Sequence, residues 1–204
     1  MNLYRADLHI HTVLSPCGDL DMSPANIIDK ALEKGIDIIG ITDHNSTRHC
    51  SLIRDLARPA GIFVLMGAEV TTREEVHCLS FFENDDQLTE FQAYLEQHLP
   101  PIPNDTQKFG YQVVVDKDEQ ILEEIEYLLI SALDQSINQV EQKVHSLDGI
   151  FIPAHIDRPS YSITSQLGFI PAGLPIDAVE ISASCKKETI LPFIPKHSNL
   201  AIIR

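Results

Sequence analysis

The sequence predicts an α/β fold in which largely parallel strands are joined by helices, either as an α/β barrel or as a doubly wound sheet. Two observations lead there. Extended apolar stretches alternate with amphipathic helical stretches along most of the 204 residues. In addition, His11, His44, Glu69 and His155 each fall at or just after the C-terminal end of a predicted strand. That edge carries the active site in both architectures.

The elements follow in order. Tyr4 to His11 reads as the first strand; side-chain alternation puts Asp7, His9 and His11 on one face and Leu8 and Ile10 on the other. Ser23 then caps a helix with Pro24 as its first residue. Ile27, Ile28, Ala31 and Leu32 form its apolar face, and Gly35 stops it. "IDIIGIT" is a buried strand running into Asp43 and His44, and a short helix from Cys50 to Leu56 ends before Pro59. "IFVLMG" is the strand that leads to Glu69, and "VHCLSFF" is a further extended stretch. A helix is expected from about Gln87 to Gln97, with Leu88, Phe91 and Leu95 along one side. "HLPPIPNDTQKFG" reads as a loop, "YQVVV" as a short strand and Ile121 to Leu133 as a helix. Another helix, capped near Asp134 or Ser136, runs to about Ser146. "DGIFIPAHIDRP" is a turn, a strand and a polar loop, and "DAVEIS" and "LAIIR" are two final strands.

Composition narrows the function classes. A chain of this length is expected to form one domain, over residues 1–204, that buries roughly 70% of its unfolded surface. No apolar run is long enough to span a bilayer and no signal-peptide pattern opens the chain, so a cytoplasmic protein without membrane contact is expected. The four cysteines are scattered without a CxxC pair and read as reduced thiols. A formal charge of −15 argues against binding long nucleic acid, which needs a basic surface. It says less about a small phosphorylated substrate, because a carboxylate site loaded with divalent cations attracts phosphate.

The groups at the strand ends are His9, His11, Asp19 or Asp21, His44, Glu69, His77 and His155. Imidazole and carboxylate ligands suit Zn²⁺, Mn²⁺ or Fe²⁺, and a carboxylate such as Glu69 can bridge two ions. An H-x-H pair on a strand puts both imidazoles on one side with room for a cation.

These motifs resemble the polymerase and histidinol phosphatase (PHP) superfamily of metal-dependent phosphoesterases. "DLHIHT" is similar to its first motif, "ITDHNS" to its second and "GAEVT" to the segment with its bridging glutamate; "EVHCLSF" and "IPAHIDRP" are similar to its later histidine motifs. The resemblance implies a distorted (β/α)₇, TIM-like barrel and a site for up to three ions. It places His9, His11 and Glu69 on the first ion, Glu69, His77 and His155 on the second, and Asp19 and His44 on the third. Members also carry a D-x-H motif after a late strand, and "LAIIR" ends the sequence without one. The barrel is therefore expected to be incomplete at the C-terminus, with the first and third positions each short of a ligand; neither Asp177 nor His197 replaces it.

Arg158, three residues beyond the "PAH" histidine, is a candidate phosphate clamp, against a loop salt bridge with Asp157 or another carboxylate. Arg48 and Arg73 read as solvated. Asp7 and Asp43 are candidates to orient ligand histidines. Cys17 reads as an incidental loop thiol, and Cys78 should point away from the site because His77 points in. His49, His98, His145 and His197 read as helix-surface or loop histidines, and "DKDEQILEEIE" as a solvated face at a helix start. The function implied is hydrolysis of a phosphate ester: a mononucleotide, a nucleoside bisphosphate, a short oligonucleotide or a sugar phosphate. His9, His11, Glu69, His155 and Arg158 would carry it. The alternatives are a non-catalytic domain that binds one ion at Glu69, His77 and His155 and serves a structural or regulatory role, and a metal-dependent amidohydrolase. Self-association is expected from the barrel surface that missing C-terminal elements would leave exposed.

Overall fold

The computed structural model describes residues 3–193 and 200–204, so His197 lies outside the described residues. Nine strands and seven helices are described: β1 (Ala6–Ile10), α1 (Pro24–Lys34), β2 (Ile38–Ile41), α2 (Cys50–Ala57), β3 (Phe63–Thr71), β4 (His77–Phe82), α3 (Asp85–His98), α4 (Thr106–Phe109), β5 (Val113–Val115), β6 (Ile121–Glu124), α5 (Ile137–Ser146), β7 (Ile150–Pro153), α6 (Ile163–Leu167), β8 (Ala178–Glu180), α7 (Lys187–Ile190) and β9 (Ala201–Ile203). The main sheet has the order β1-β2-β3-β4-β7. Asp177 N–H donates to the Phe151 carbonyl and Ile156 N–H to the Glu180 carbonyl, which seats β8 beside β7. β9 pairs with β8 in parallel. Seven strands thus follow one another around a distorted α/β barrel.

Alternation assigns the two faces. Val64, Met66, Ala68 and Val70 of β3 join Ile39, Ile41, Cys78 and Phe151 in the main apolar cluster, packed against Ile27, Ile28 and Ala31 of α1, Ile53 of α2, Phe91 of α3 and Val140 of α5. The inward set is smaller: Leu79, Phe81, Ile152, Ala154 and Ala178, with Leu65 and Ile203 against them. Glu69 sits opposite Leu79 and therefore faces inward. The helix caps follow from local chemistry. Ser23 accepts from Asn26 N–H at the start of α1 and Gly35 closes it in the left-handed region, while Ser136 and Gln139 form a capping box on α5.

The expectation of parallel strands fails at β4, which runs antiparallel to both β3 and β7. The turn between Thr71 and His77 is too short for a crossover helix, so the chain can only fold back as a hairpin. The helix expected over Ile121 to Leu133 is also overturned: β6 forms there and pairs with β5. Its apolar residues fit either period, and the preceding turn decides. Asp116 Oδ1 accepts from Asp118 N–H and Gln120 N–H at 2.9 Å each, Glu119 takes φ 61°, and the strand returns along β5. The acidic run is accordingly a solvated hairpin instead of a helix start. The stretch read wholly as loop contains α4, and α6 and α7 lie in stretches where no helix was expected.

Gly67 is fixed by the close approach of β3 and β4. A Cβ there would lie 2.1 Å from the Ser80 carbonyl oxygen, whereas one at Gly173 would meet nothing within 4 Å. Gly67→Ala should destabilise the fold by about 1–3 kcal/mol in a urea melt, the usual range for overpacking. Gly173→Ala should change it by less than about 0.5 kcal/mol. Equal midpoints for the two variants would contradict the close approach.

Candidate metal centre

The inward face of the barrel gathers five imidazoles on one carboxylate. Glu69 is 2% exposed. Its Oε1 lies 3.2 Å from His9 Nε2, 2.9 Å from His77 Nδ1 and 3.1 Å from His155 Nε2. Its Oε2 lies 3.2 Å from His11 Nε2 and 3.3 Å from His44 Nδ1. Different elements deliver these groups. His9 is on β1 and His11 just beyond it; His44 follows β2 and is bridged to Glu69 in parallel. His77 opens β4 opposite Thr71, and the diagonal across that pair brings its ring to Glu69. His155 follows β7 in an unusual backbone conformation, φ 29°, with its N–H held by Glu180 Oε2 at 2.8 Å.

A second layer orients the rings. Asp43 accepts from the Ser15 hydroxyl at 2.7 Å, so the Ser15 oxygen is left to accept, from His44 N–H at 3.0 Å and from His11 Nδ1–H at 3.1 Å. Glu180 accepts from His9 Nδ1–H at 2.9 Å. Both rings carry their proton on Nδ1 and turn Nε2 inward, the tautomer of a metal ligand. The two Nε2 atoms face each other at 3.1 Å. Such a pair holds at most one proton between its nitrogens, and a shared cation satisfies both. His44 Nδ1, His77 Nε2 and His155 Nδ1 are buried without a hydrogen-bond partner. Ligand atoms of three sets lie within 4.8 Å of one another: His9, His11 and Glu69; His44, Glu69 and His77; and His11, Cys17 and His44. The donor set, with His44 Nδ1 orphaned beside Glu69 Oε2, fits divalent cations.

Electrostatics agree with that donor set. Burial opposes the charged form of His9, but the bonds to Glu180 and Glu69 outweigh it and push its pKa up to about 9. Burial likewise opposes charge on His11, and contacts with Cys17 and Glu69 push its pKa up to about 10. His44, with burial dominant, is pushed down to about 3. Burial would raise Glu69, yet His11, His155, His77 and His9 together hold it well below the usual carboxylate range. Glu180 is held below its usual range as well, burial being more than offset by His9.

Several expected roles are placed elsewhere. Asp19 is exposed and caps a short 3₁₀ turn by accepting from Asp21 N–H, and neither Asp19 nor Asp21 lines the cavity around Glu69. The tight Thr12–Gly18 loop instead brings Cys17, which the sequence suggests is an incidental loop thiol, to the cavity lining. Asp7 is exposed, and the role of orienting His9 falls to Glu180. Asp43 steadies His11 and His44 through Ser15. His49 is fully buried, not a surface histidine: it donates to the Thr12 hydroxyl and accepts from Val115 N–H at 3.0 Å, tying the β5–β6 hairpin to the site loop. Asp177 bonds His145 and Phe151 N–H away from Glu69. Arg158 is exposed, lines the cavity and makes no ion pair with a described residue; Asp157 is tied to Ser182. Arg48 pairs with Glu96 and Glu123. Glu180, Ser15 and Cys17 were missed or set aside, although Glu180 ends a strand just as His11 and Glu69 do.

The family model of the PHP domain matches residues 7–156. The chain belongs to the PHP domain family. The uncharacterized protein MJ1587 of Methanocaldococcus jannaschii is 37% identical over 90 residues, covering 40% of this chain and 52% of that protein. Among solved structures, the lesion-specific endonuclease Q of Pyrococcus furiosus aligns with a TM-score of 0.62 at 18% identity, over 90% of this chain and 43% of the endonuclease. A putative metal-dependent phosphoesterase of Bifidobacterium adolescentis aligns with a TM-score of 0.55 at 18% identity, over 88% of this chain and 77% of its own. The chain thus spans about half the length of MJ1587 and less than half of the endonuclease. At these identities the structural matches speak for the PHP-type fold. No described helix is long and apolar enough to cross a membrane.

The raised pKa values of His9 and His11 set the pH dependence of cation uptake. The one proton that the two facing Nε2 atoms hold between them stays through the neutral range in the metal-free protein and must leave as a cation binds. Isothermal titration in buffers of different ionisation heat should therefore show proton release, with affinity weakening as pH falls. Affinity independent of pH, with no proton released, would contradict the arrangement.

Proposed function

We propose that the chain is a metal-dependent phosphoesterase acting on a small phosphorylated substrate, and that His9, His11, His44, Glu69, His77 and His155 hold two or more divalent cations of the zinc, manganese or iron class. The observation that carries this reading is the convergence of five imidazoles on one buried carboxylate in a cavity that also contains Arg158. Bound cations of this kind lower the pKa of water toward neutrality and stabilise charge developing on a phosphoryl oxygen.

The chain's own residues do the rest. Glu69, placed centrally with both oxygens facing imidazoles, is the group that two ions would share. Glu180 and the Asp43–Ser15 pair keep His9 and His11 in the ligating tautomer, so neither ring has to reorient when a cation arrives. Arg158 has no ion-pair partner among the described residues and presents at the cavity a planar guanidinium suited to bidentate contact with a phosphate. The cavity, at about 440 Å³, matches a nucleotide or sugar phosphate in scale. A complex of endonuclease Q holds a 27-mer duplex with an abasic lesion at its active site. The charge of −15 on this chain favours a smaller substrate over a long duplex.

Chelator-stripped protein reloaded with Zn²⁺, Mn²⁺ or Fe²⁺ should hydrolyse chromogenic phosphomonoesters or phosphodiesters. Glu69→Ala should abolish turnover and lower metal content. Arg158→Ala should lower kcat/KM by roughly 10- to 100-fold at unchanged metal content, the loss expected for one charge-assisted contact. Stoichiometric metal without turnover on either ester class would favour the metal-binding, non-catalytic alternative.

A further inference from the structure

The thiol of Cys17 lines the cavity and has no part in the reading above. It lies on a tightly built loop. Ser15 N–H donates to the Thr12 carbonyl at 3.1 Å, Gly18 N–H donates to the Ser15 carbonyl at 2.7 Å, and Ser15 is anchored through its hydroxyl on buried Asp43. A side chain at Gly18 would lie 2.0 Å from the Thr12 carbonyl oxygen, so the loop closes this way only with glycine there. Fixed on both sides, Cys17 delivers its sulfur to the cavity. Ligand atoms of Cys17, His11 and His44 lie within 4.8 Å of one another. Nitrogen and sulfur on one tetrahedral zinc, at about 2.1 and 2.3 Å, stand about 3.6 Å apart. A small rotation of an exposed side chain closes that difference.

A second, independent observation comes from His44. It is 3% exposed and lines the same cavity, and its Nδ1, 3.3 Å from Glu69 Oε2, has no hydrogen-bond partner. A buried imidazole nitrogen left unsatisfied beside a carboxylate and a thiol is suited to a cation that all three can share. The oxygen donors nearest in sequence do not compete, because Asp19 caps the 3₁₀ turn and Asp21 lies outside the cavity. His11, which also stands next to Cys17, turns one nitrogen to Ser15 and the other to Glu69 and His9. His44 Nδ1, in contrast, has no hydrogen-bond partner among the described residues, so His44 is the imidazole with a nitrogen open to an ion shared with Cys17.

We propose that Cys17 Sγ, together with His44, is a ligand of a divalent cation at the outer end of the cluster, making that position a sulfur–nitrogen site. The proposal rests on the reading of the cluster as a metal centre and adds a selectivity to it. Thiolate and imidazole prefer zinc or ferrous iron, whereas an oxygen donor in the same place would suit manganese. The thiol gives up its proton to solvent as the ion binds, with no change of oxidation state.

Cobalt(II) titrated into the chelator-stripped full chain reads the sulfur directly, through a thiolate-to-cobalt charge-transfer band in the near ultraviolet. The wild type should show it. Cys17→Ser should lose it, while Cys185→Ser and Asp19→Ala should keep it. Cys17→Asp should still take up cobalt without the band, and should shift zinc-against-manganese competition toward manganese by roughly tenfold or more. Cobalt uptake with ligand-field bands but no charge-transfer band in the wild type would overturn the role of Cys17 and leave the imidazole–carboxylate centre standing. A band that survives in Cys17→Ser would overturn it too. No cobalt uptake at all would overturn both the proposal and the metal-dependent function.

Discussion

A buried carboxylate at the centre of the barrel is the constraint on which the rest of the structure depends. Taking an ion the size of a carboxylate out of water costs several kcal/mol even after relaxation, and the cost is offset only when partners of opposite character surround it. Glu69 has five imidazoles within 3.3 Å, drawn from the ends of β1, β2 and β7 and from the start of β4. No local segment could supply them. The charge at Glu69 therefore ties the stability of the barrel's inner face to its long-range topology. Among the described residues the same ring leaves His44 Nδ1 without a hydrogen-bond partner beside Glu69 Oε2, an arrangement that fits a cation there.

Backbone conformations uncommon for non-glycine residues gather at this edge. Asn45, His155 and Tyr161 take φ values of 46°, 29° and 56°. Each is held by specific bonds. Asn45 Nδ2 donates to the Leu129 and Ser131 carbonyls and its Oδ1 accepts from Thr71 N–H. The Tyr161 carbonyl accepts from His77 N–H at 2.9 Å, and its ring stacks on His77 at 4.8 Å. Residues held in sparsely populated regions by surrounding structure are characteristic of functional sites. Here they turn the chain sharply at the strand ends, so that side chains point into the barrel mouth.

Much of this was legible in the sequence because strand alternation and strand-end placement are strong signals. His9, His11, His44, Glu69 and His155 could be set at one edge from hydrophobic patterning alone. Helix α1 followed from Ser23 and Gly35, and α5 from a cap at Asp134 or Ser136, of which the structure uses Ser136. What stayed hidden depends on tertiary geometry. The antiparallel course of β4 hangs on a short turn, and the β5–β6 hairpin on the Asx bonds of Asp116, which override an apolar pattern ambiguous between helix and strand. Asp19 and Cys17 sit two residues apart in one loop, and only the packing of Gly18 against Thr12 decides which of them faces inward. His49 looked superficial because its partners, Thr12 and Val115, are far away in sequence.

The central claim is that Glu69 organises divalent cations. Anomalous diffraction from crystals of the metal-loaded protein, recorded at the metal's absorption edge, tests it most directly. The account predicts at least two peaks within coordination distance of the Glu69 oxygens, one of them between His9 Nε2 and His11 Nε2. A map with no peak within about 3 Å of Glu69, well beyond any metal–oxygen bond, would contradict it.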